Sequence, residues 1–239
     1  MSRKKYYLVL DVETAEDVDT NPLPYDLGYA ICDKRGNIEL QRSFVIADIF
    51  LDLKTSMQSA YYHEKIPKYW DDIKAGKRTL TTFWKVWDTV RQDIKDYKID
   101  TVCTYNAGFD RKALNNLIRY CTKSKYRWFF PYGIEFNCIW HMACQVLMAR
   151  PTYINFCLKN ELYSKSNNIM TSAECAYKYI TWQTDFEESH TGLEDVKIEI
   201  EIMKYCYRQK KKMDKGINRL CWRIPQIKRK EIDSKNKQK

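Results

Sequence analysis

The run Tyr6–Leu10 is apolar throughout, and it stops at Asp11-Val12-Glu13. An alternating strand can lie on a surface. A strand with no polar interruption must be covered on both faces, so this one belongs inside a sheet flanked by helices. Residues two apart in a strand share a face, so the Asp11 and Glu13 carboxylates project to the same side at the strand's end. Such a pair costs desolvation energy unless a cation compensates it. A hard divalent ion, Mg²⁺ or Mn²⁺, takes oxygen ligands of this kind. A second DxE, Asp185-Phe186-Glu187, reads as a solvated loop.

The segments that follow supply a sheet and its cover. Asn21-Pro22 and Pro24 mark a turn. Asp26–Cys32 and Ile38–Ile46 read as strands, and residues 33–37 between them make a plausible hairpin turn. Residues 48–98 read mostly as helix, with Phe83, Val86, Trp87, Val90 and Ile94 on one face. Ile99–Tyr105 is a fourth strand, and Lys112–Cys121 is a helix with Leu114, Leu117 and Ile118 on one side. Residues 126–136 predict a loop or short strand, and 138–149, 172–181 and 191–209 predict helices. Strands first, then strand–helix alternation, argue for a mixed α/β sheet covered by helices.

Charge divides the 239 residues unevenly. Residues 208–239 carry thirteen Lys/Arg against three acids, while 1–207 carry equal numbers of each, so the whole net charge of +10 lies at the end of the chain. The expected organisation is one domain over 1–207 and a basic arm or tail over 208–239. Such a block contacts nucleic acid or an anionic surface, or serves only as a solvated tail. The tail is not purely polar: Ile217, Leu220, Trp222, Ile224 and Ile227 interrupt the charge. That pattern suggests an arm docked on the body, offering Arg219, Arg223, Lys228, Arg229 and Lys230 to phosphates.

Several classes fall away. None of the seven glycines is spaced as GxGxxG, GxxxxGK[ST] or GxSxG, which removes the dinucleotide fingerprint, the P-loop and the nucleophile elbow. No stretch has the roughly 18 apolar residues of a membrane helix, and Asp11 and Glu13 interrupt the first apolar run too early for a signal peptide. Nine cysteines without a CxxC pair suit free thiols in a reducing cytoplasm.

Two more segments join Asp11 and Glu13. Asn106-Ala107-Gly108-Phe109-Asp110 follows the fourth strand and opens a helix, at the carboxyl end of strands where α/β sheets bind ligands. Alternatively, Asp110 only favours its helix start and Gly108 only makes the turn. In Ser189-His190-Thr191-Gly192-Leu193-Glu194-Asp195, Thr191 and Glu194 have the spacing of a capping box. With Thr191 as cap, His190 and Asp195 occupy the two positions that a hydrophobic staple brings together.

In order, LVLDVET, TYNAGFD and HTGLEDV resemble the DEDDh 3′→5′ exonuclease superfamily, over roughly residues 5–207. The stretches CIWHMACQVLM and SHTGLEDVKIEIEI look most like small bacteriophage-encoded exonucleases. The resemblance implies a ribonuclease-H-like, mixed five-stranded sheet flanked by helices. It implies that Asp11, Glu13, Asp110 and Asp195 hold two Mg²⁺ or Mn²⁺ ions, and that His190 is the general base. Val12, Thr14, Asn106 and Phe109 would contact the substrate, a single-stranded DNA or RNA 3′ end. The product would be a nucleoside 5′-monophosphate. The likeness further implies a cytoplasmic protein without a membrane, and is compatible with a homodimer or with a polymerase or other replication partner. One departure is visible: Ala15-Glu16 follows Thr14 where the family often has Thr-Gly, and Glu16, Asp17 and Asp19 add negative charge there. A non-catalytic nucleic-acid-binding module on the same fold, or a protein that binds a host factor through its basic arm, are the rival readings.

Other signals carry less. Cys138-x-x-His141-x-x-Cys144 invites zinc, but on a helix these residues drift around the axis and have no fourth ligand nearby. His63 has no metal spacing. Tyr126, Trp128, Phe129, Phe130 and Tyr132 surround Arg127, and Tyr61, Tyr62, Tyr69 and Trp70 cluster earlier. Most read as core, with one or two left to stack on bases.

Overall fold

The computed structural model describes residues 4–15, 21–51, 57 and 63–237. Glu16, Asp17, Asp19, Tyr61 and Tyr62 lie outside the described residues.

Six strands form one sheet: β1 (Tyr6–Thr14), β2 (Pro24–Asp33), β3 (Ile38–Ile46), β4 (Thr79–Thr81), β5 (Thr101–Thr104) and β6 (Glu135–Cys138), in the order β4-β3-β2-β1-β5-β6. The first three form an antiparallel meander, with the hairpin expected between β2 and β3, while β5 pairs parallel to β1, with Val9 opposite Cys103. The sheet is therefore mixed, with β1 near its centre. It has one strand more than the five expected. The addition is β4, three residues inside the stretch read as helix, which pairs parallel to β3. So short a strand has no periodicity of its own and is held by its neighbour.

The pleat of β1 sorts its side chains. Leu8, Leu10 and Val12 face one side, in a core with Phe83, Val86 and Val90 of α3 (Phe83–Tyr97) and Leu114 and Leu117 of α4 (Ala107–Thr122). Tyr7 and Val9 face the other, in a core with Ile139 and Met142 of α5 (Ile139–Ala143) and Val196, Ile200 and Met203 of α8 (Gly192–Arg208). Each fully buried Leu, Ile or Val side chain contributes about 1.5–3 kcal/mol, and both faces are occupied, as an all-apolar strand requires. The shorter helices are α1 (Ala47–Phe50), α2 (Ile66–Lys74), α6 (Pro151–Lys159) and α7 (Ala173–Thr181). The predicted 138–149 helix is real only in its first part; Cys144–Met148 winds as a π-helical turn.

The basic end of the chain is not a loose tail. Residues 223–237 form α9, which packs against α6 and the π-helical turn. The Gln226 side chain bonds both to the Ile169 backbone N–H and to its carbonyl, at 2.8 and 2.9 Å. All nine cysteines are free thiols. Among the described residues, no helix is long and apolar enough to cross a membrane.

Candidate active site

The odd-numbered residues of β1 continue from Tyr7 and Val9 to Asp11 and Glu13, so both carboxylates emerge on the α8 side of the sheet. Helix α8 reaches them through a backbone contact without side chains. A Cβ on Gly28 of β2, the residue paired with Asp11, would lie 2.1 Å from the Leu193 nitrogen. A Cβ on Gly192 would lie 2.7 Å from the Gly28 nitrogen. Only glycine permits this approach, which seats the first turn of α8 directly on the sheet.

The result is a cleft of about 250 Å³ lined by Asp11, Glu13, Asp110, His190 and Asp195 together with Asn106, Phe109, Tyr105, Ser172, Ala173, Glu188 and Glu199. The four acids and the histidine singled out in the sequence thus lie in one place. Asn106 and Phe109 line it too. Val12 does not: it is buried in the core on the opposite face, and Thr14 lies at the strand's end outside the lining. Glu188 and Glu199 were not read from the sequence. The signal for Glu199 was present, because it follows Asp195 by one helical turn and shares its face.

The turn into α8 differs from a capping box. The Thr191 hydroxyl donates to Glu194 Oε2 at 2.8 Å, but the Thr191 backbone N–H goes to Asp195 Oδ2, at 2.9 Å. Ser189 Oγ also donates to Asp195, at 3.3 Å. Asp195 is therefore aimed by the loop before it. His190 has φ +49°, the left-handed region that a non-glycine residue adopts at a cost. Ligand atoms of Glu13, His190 and Asp195 all lie within 4.8 Å of one another.

Behind this cleft is a second buried acid, paired with a cation through one of its two oxygens. Buried Asp26 accepts from Arg78 Nη1 at 3.0 Å, Tyr69 Oη at 2.7 Å and the Gly192 N–H at 3.0 Å. Arg78 also bonds Asp72 and Glu194, so one guanidinium ties α2, β2 and α8 together.

Among the described residues that line the cleft, none is Lys or Arg, and the Lys65 ammonium nearby offsets the charge of Glu13 and Glu188 only in part. Burial first, then the charges of Glu199, Asp110, Glu13 and Asp195, raise the Asp11 carboxyl well above the usual range. Burial and then Asp195 raise Glu13. Burial lifts Asp110 to about 7, and burial with Glu188 lifts Asp195 to about 8. Glu199 Oε2 is buried without a hydrogen-bond partner. Burial, then the Lys65 ammonium, push His190 below its ordinary value. A cluster of unneutralised carboxylate oxygens with one imidazole fits a hard divalent cation by the chemistry of its donors.

The zinc pattern dissolves in three dimensions. His141 is buried, and both its ring nitrogens are used: Nδ1 bonds the Gly216 carbonyl at 2.8 Å and Nε2 the Asn218 amide at 3.3 Å. The aromatic segment splits, with Phe129 and Phe130 in the core and Tyr126, Trp128 and Tyr132 exposed. A cavity of about 430 Å³ between α4 and β6 is lined by Trp128, Tyr132 and Arg111, apart from the acids.

No protein-family model matches the chain, and no curated protein matches it in sequence. Its fold is similar to that of the nuclease domain of 3′hExo, a DEDDh family member bound to rAMP (TM-score 0.54, 14% identity, 90% of this chain and 98% of that one). It is likewise similar to a 3′-exonuclease that recognises the 3′ end of a histone mRNA stem-loop (0.54, 14%, 90% and 87%). The zinc-bound Escherichia coli exonuclease I–single-stranded DNA complex also matches (0.51, 14%), over 87% of this chain and 41% of that one. The chain has a ribonuclease-H-like fold: a mixed sheet flanked by helices. The solved structures that share it include DEDDh-family 3′-exonucleases.

Proposed function

We propose that this protein is a metal-dependent 3′→5′ exonuclease that removes nucleotides from single-stranded DNA or RNA 3′ ends and releases nucleoside 5′-monophosphates. The observation that carries the proposal is the convergence of Asp11, Glu13, Asp110, Asp195 and His190 in one acid-lined cleft at the carboxyl edge of the sheet. The nucleases that share the fold support it.

Asp11, Glu13 and Asp195 would hold one divalent ion, and Asp11 with Asp110 a second. Bound there, the pair would neutralise the acids and stabilise the attacking and leaving oxygens of an in-line displacement. The remaining work falls to the chain. His190, held neutral at pH 7 by burial, takes the proton of the attacking water at a ring nitrogen. Its left-handed backbone and the Ser189–Asp195 bond fix its place over the cleft. The half-buried Phe109 ring packs against the terminal nucleotide, and the Asn106 amide offers it a hydrogen bond.

The test uses 5′-labelled single-stranded DNA and RNA of equal sequence, incubated in Mg²⁺, Mn²⁺ or EDTA beside an Asp11→Ala control. A metal-dependent ladder shortening from the 3′ end and absent in the control is expected. Tight binding in EDTA with no cleavage under any condition would overturn the proposal in favour of a binding module.

A further inference from the structure

Between α8 and α9 the chain returns across the end of β6 as a strap, Asp214–Arg219. It belongs to no sheet or helix, yet it is densely bonded to the body. The Cys138 N–H donates to the Lys215 carbonyl at 2.7 Å. The Gln145 side chain spans Asp214, donating to its carbonyl at 2.8 Å and accepting its N–H at 3.0 Å. His141 bonds Gly216 and Asn218. Asn218 Oδ1 already accepts the Leu220 N–H at 2.9 Å, so its Nδ2 must donate to His141 Nε2. His141 therefore carries its proton on Nδ1 and donates it to the Gly216 carbonyl. Five bonds from α5, its preceding residue and the π-helical turn hold a segment that lies outside every helix and strand.

The strap leads to the rim of the cleft. A Cβ built on Gly108 would lie 3.3 Å from Ile217 Cγ2, 3.7 Å from Asn106 Oδ1 and 4.0 Å from Arg219 Nε. Gly108 is flanked by Asn106, Phe109 and Asp110, all of which line the cleft. Arg219 is exposed, and among the described residues it has no hydrogen bond or ion pair. Three other cations of the arm are engaged elsewhere. Lys228 pairs with Glu231 at 2.6 Å, Arg229 bonds Asn167 and faces Asp233, and Arg223 lies over the Trp222 ring.

We propose that the strap presents Arg219 to a backbone phosphate of the strand whose 3′ end occupies the cleft. A polyanion entering a cleft of carboxylates needs positive contacts at the entrance; Lys65 lies on the Glu13 and Ser189 side, and Arg219 supplies one on the Gly108 side. A guanidinium is the side chain suited to a phosphate, because its planar fork gives two parallel N–H donors. The inference narrows the role of the basic arm from a general charge to one residue on a fixed mount, and it rests on the proposed nuclease function.

The test measures binding of 5′-fluorescein single-stranded oligonucleotides by anisotropy at stepped salt, in the cleavage-inert Asp11→Ala background. Arg219→Ala is expected to weaken binding about tenfold and to flatten the salt slope by about 0.7, the share of one phosphate. Arg219→Lys should keep the slope and lose part of the affinity. His141→Leu, which frees the strap but keeps Arg219, should weaken binding in the same direction, whereas Lys230→Ala on α9 should not. Unchanged affinity and slope in Arg219→Ala, while the wild type still degrades the strand, would overturn this inference alone. Arg219-dependent binding by a wild type that cleaves nothing would overturn the nuclease proposal alone.

Discussion

Replacing Gly28 by alanine perturbs the cleft without touching any residue in it. The new methyl carbon would lie 2.1 Å from the Leu193 nitrogen, 2.3 Å from the Gly192 carbonyl carbon and 2.6 Å from the Leu193 Cα. Ordinary carbon contacts are about 3.5–4.0 Å. All three obstacles are backbone, so no rotamer change relieves them, and the first turn of α8 must withdraw by more than about 1 Å. That turn carries Asp195 and follows His190. A displacement of about 1 Å at reacting groups costs about 100-fold in rate, and overpacking costs about 1–3 kcal/mol of stability. The assay is single-turnover 3′-end cleavage at saturating Mn²⁺, with thermal unfolding measured on the same samples. Gly76→Ala is the control. It also strains the chain, at φ +69°, but nothing lies within 4 Å of the added carbon, so it should lower Tm without lowering the rate. A Gly28→Ala protein that cleaves as fast as wild type would refute the idea that this backbone contact positions the base.

Three further outcomes are expected. Wild-type cleavage should fall as pH drops through a value below His190's ordinary 6.5, because burial lowers it and protonation removes the base; His190→Ala should lose about 100-fold or more in rate together with that acid limb, and a flat wild-type profile from pH 5 to 8 would count against this role. In EDTA, Asp110 and Asp195 retain protons up to about 7 and 8 that the unfolded chain releases near 4. Stability should therefore fall as pH rises between about 5 and 7, by about 1.4 kcal/mol per pH unit for each retained proton; saturating Mn²⁺ and, more weakly, Glu199→Gln should relieve the loss, and a Tm that rises with pH in EDTA would contradict the buried acid cluster. Arg78→Met should destabilise by about 3–5 kcal/mol, since it leaves buried Asp26 uncompensated; chemical denaturation checks this, and a loss under 1 kcal/mol would show Asp26 to be satisfied by Tyr69 and Gly192 alone.

What could be read from the sequence was what local rules govern. The doubly buried β1, the shared face of Asp11 and Glu13, and the approach of His190 to Asp195 all follow from periodicity within a few residues. What stayed hidden depends on distant partners. Strand β4 exists because β3 pairs with it. Arg78 and Asp26 are 52 residues apart and meet only in the fold. His141 gave a metal-like spacing with Cys138 and Cys144, but its partners are Gly216 and Asn218, 75 and 77 positions along the chain. Glu194 suggested a capping box, but its carboxylate is drawn to Arg78, 116 residues away, and the Thr191 N–H goes to Asp195 instead. The charge of the last residues allowed a tail or an arm, and the interspersed apolar residues suggested a docked arm; Ile224 and Ile232 of α9 do pack on the body, while Ile217, Leu220 and Ile227 stay exposed.

The seat of α8 on β2 also governs when the cleft can exist. Its first two acids leave the ribosome with the opening strand, but Gly28 waits for Gly192 and Leu193, more than 160 residues later. At roughly 5–20 residues per second, that interval is about ten to thirty seconds of synthesis. Throughout it the nascent chain holds Asp11, Glu13 and later Asp110 without His190 or Asp195. The same interval offers a place to divide the protein. Two fragments parted at the exposed Trp182–Gln183 turn would hold the acids of β1 and α4 on one piece and the base on the other, so that cleavage would report their reunion.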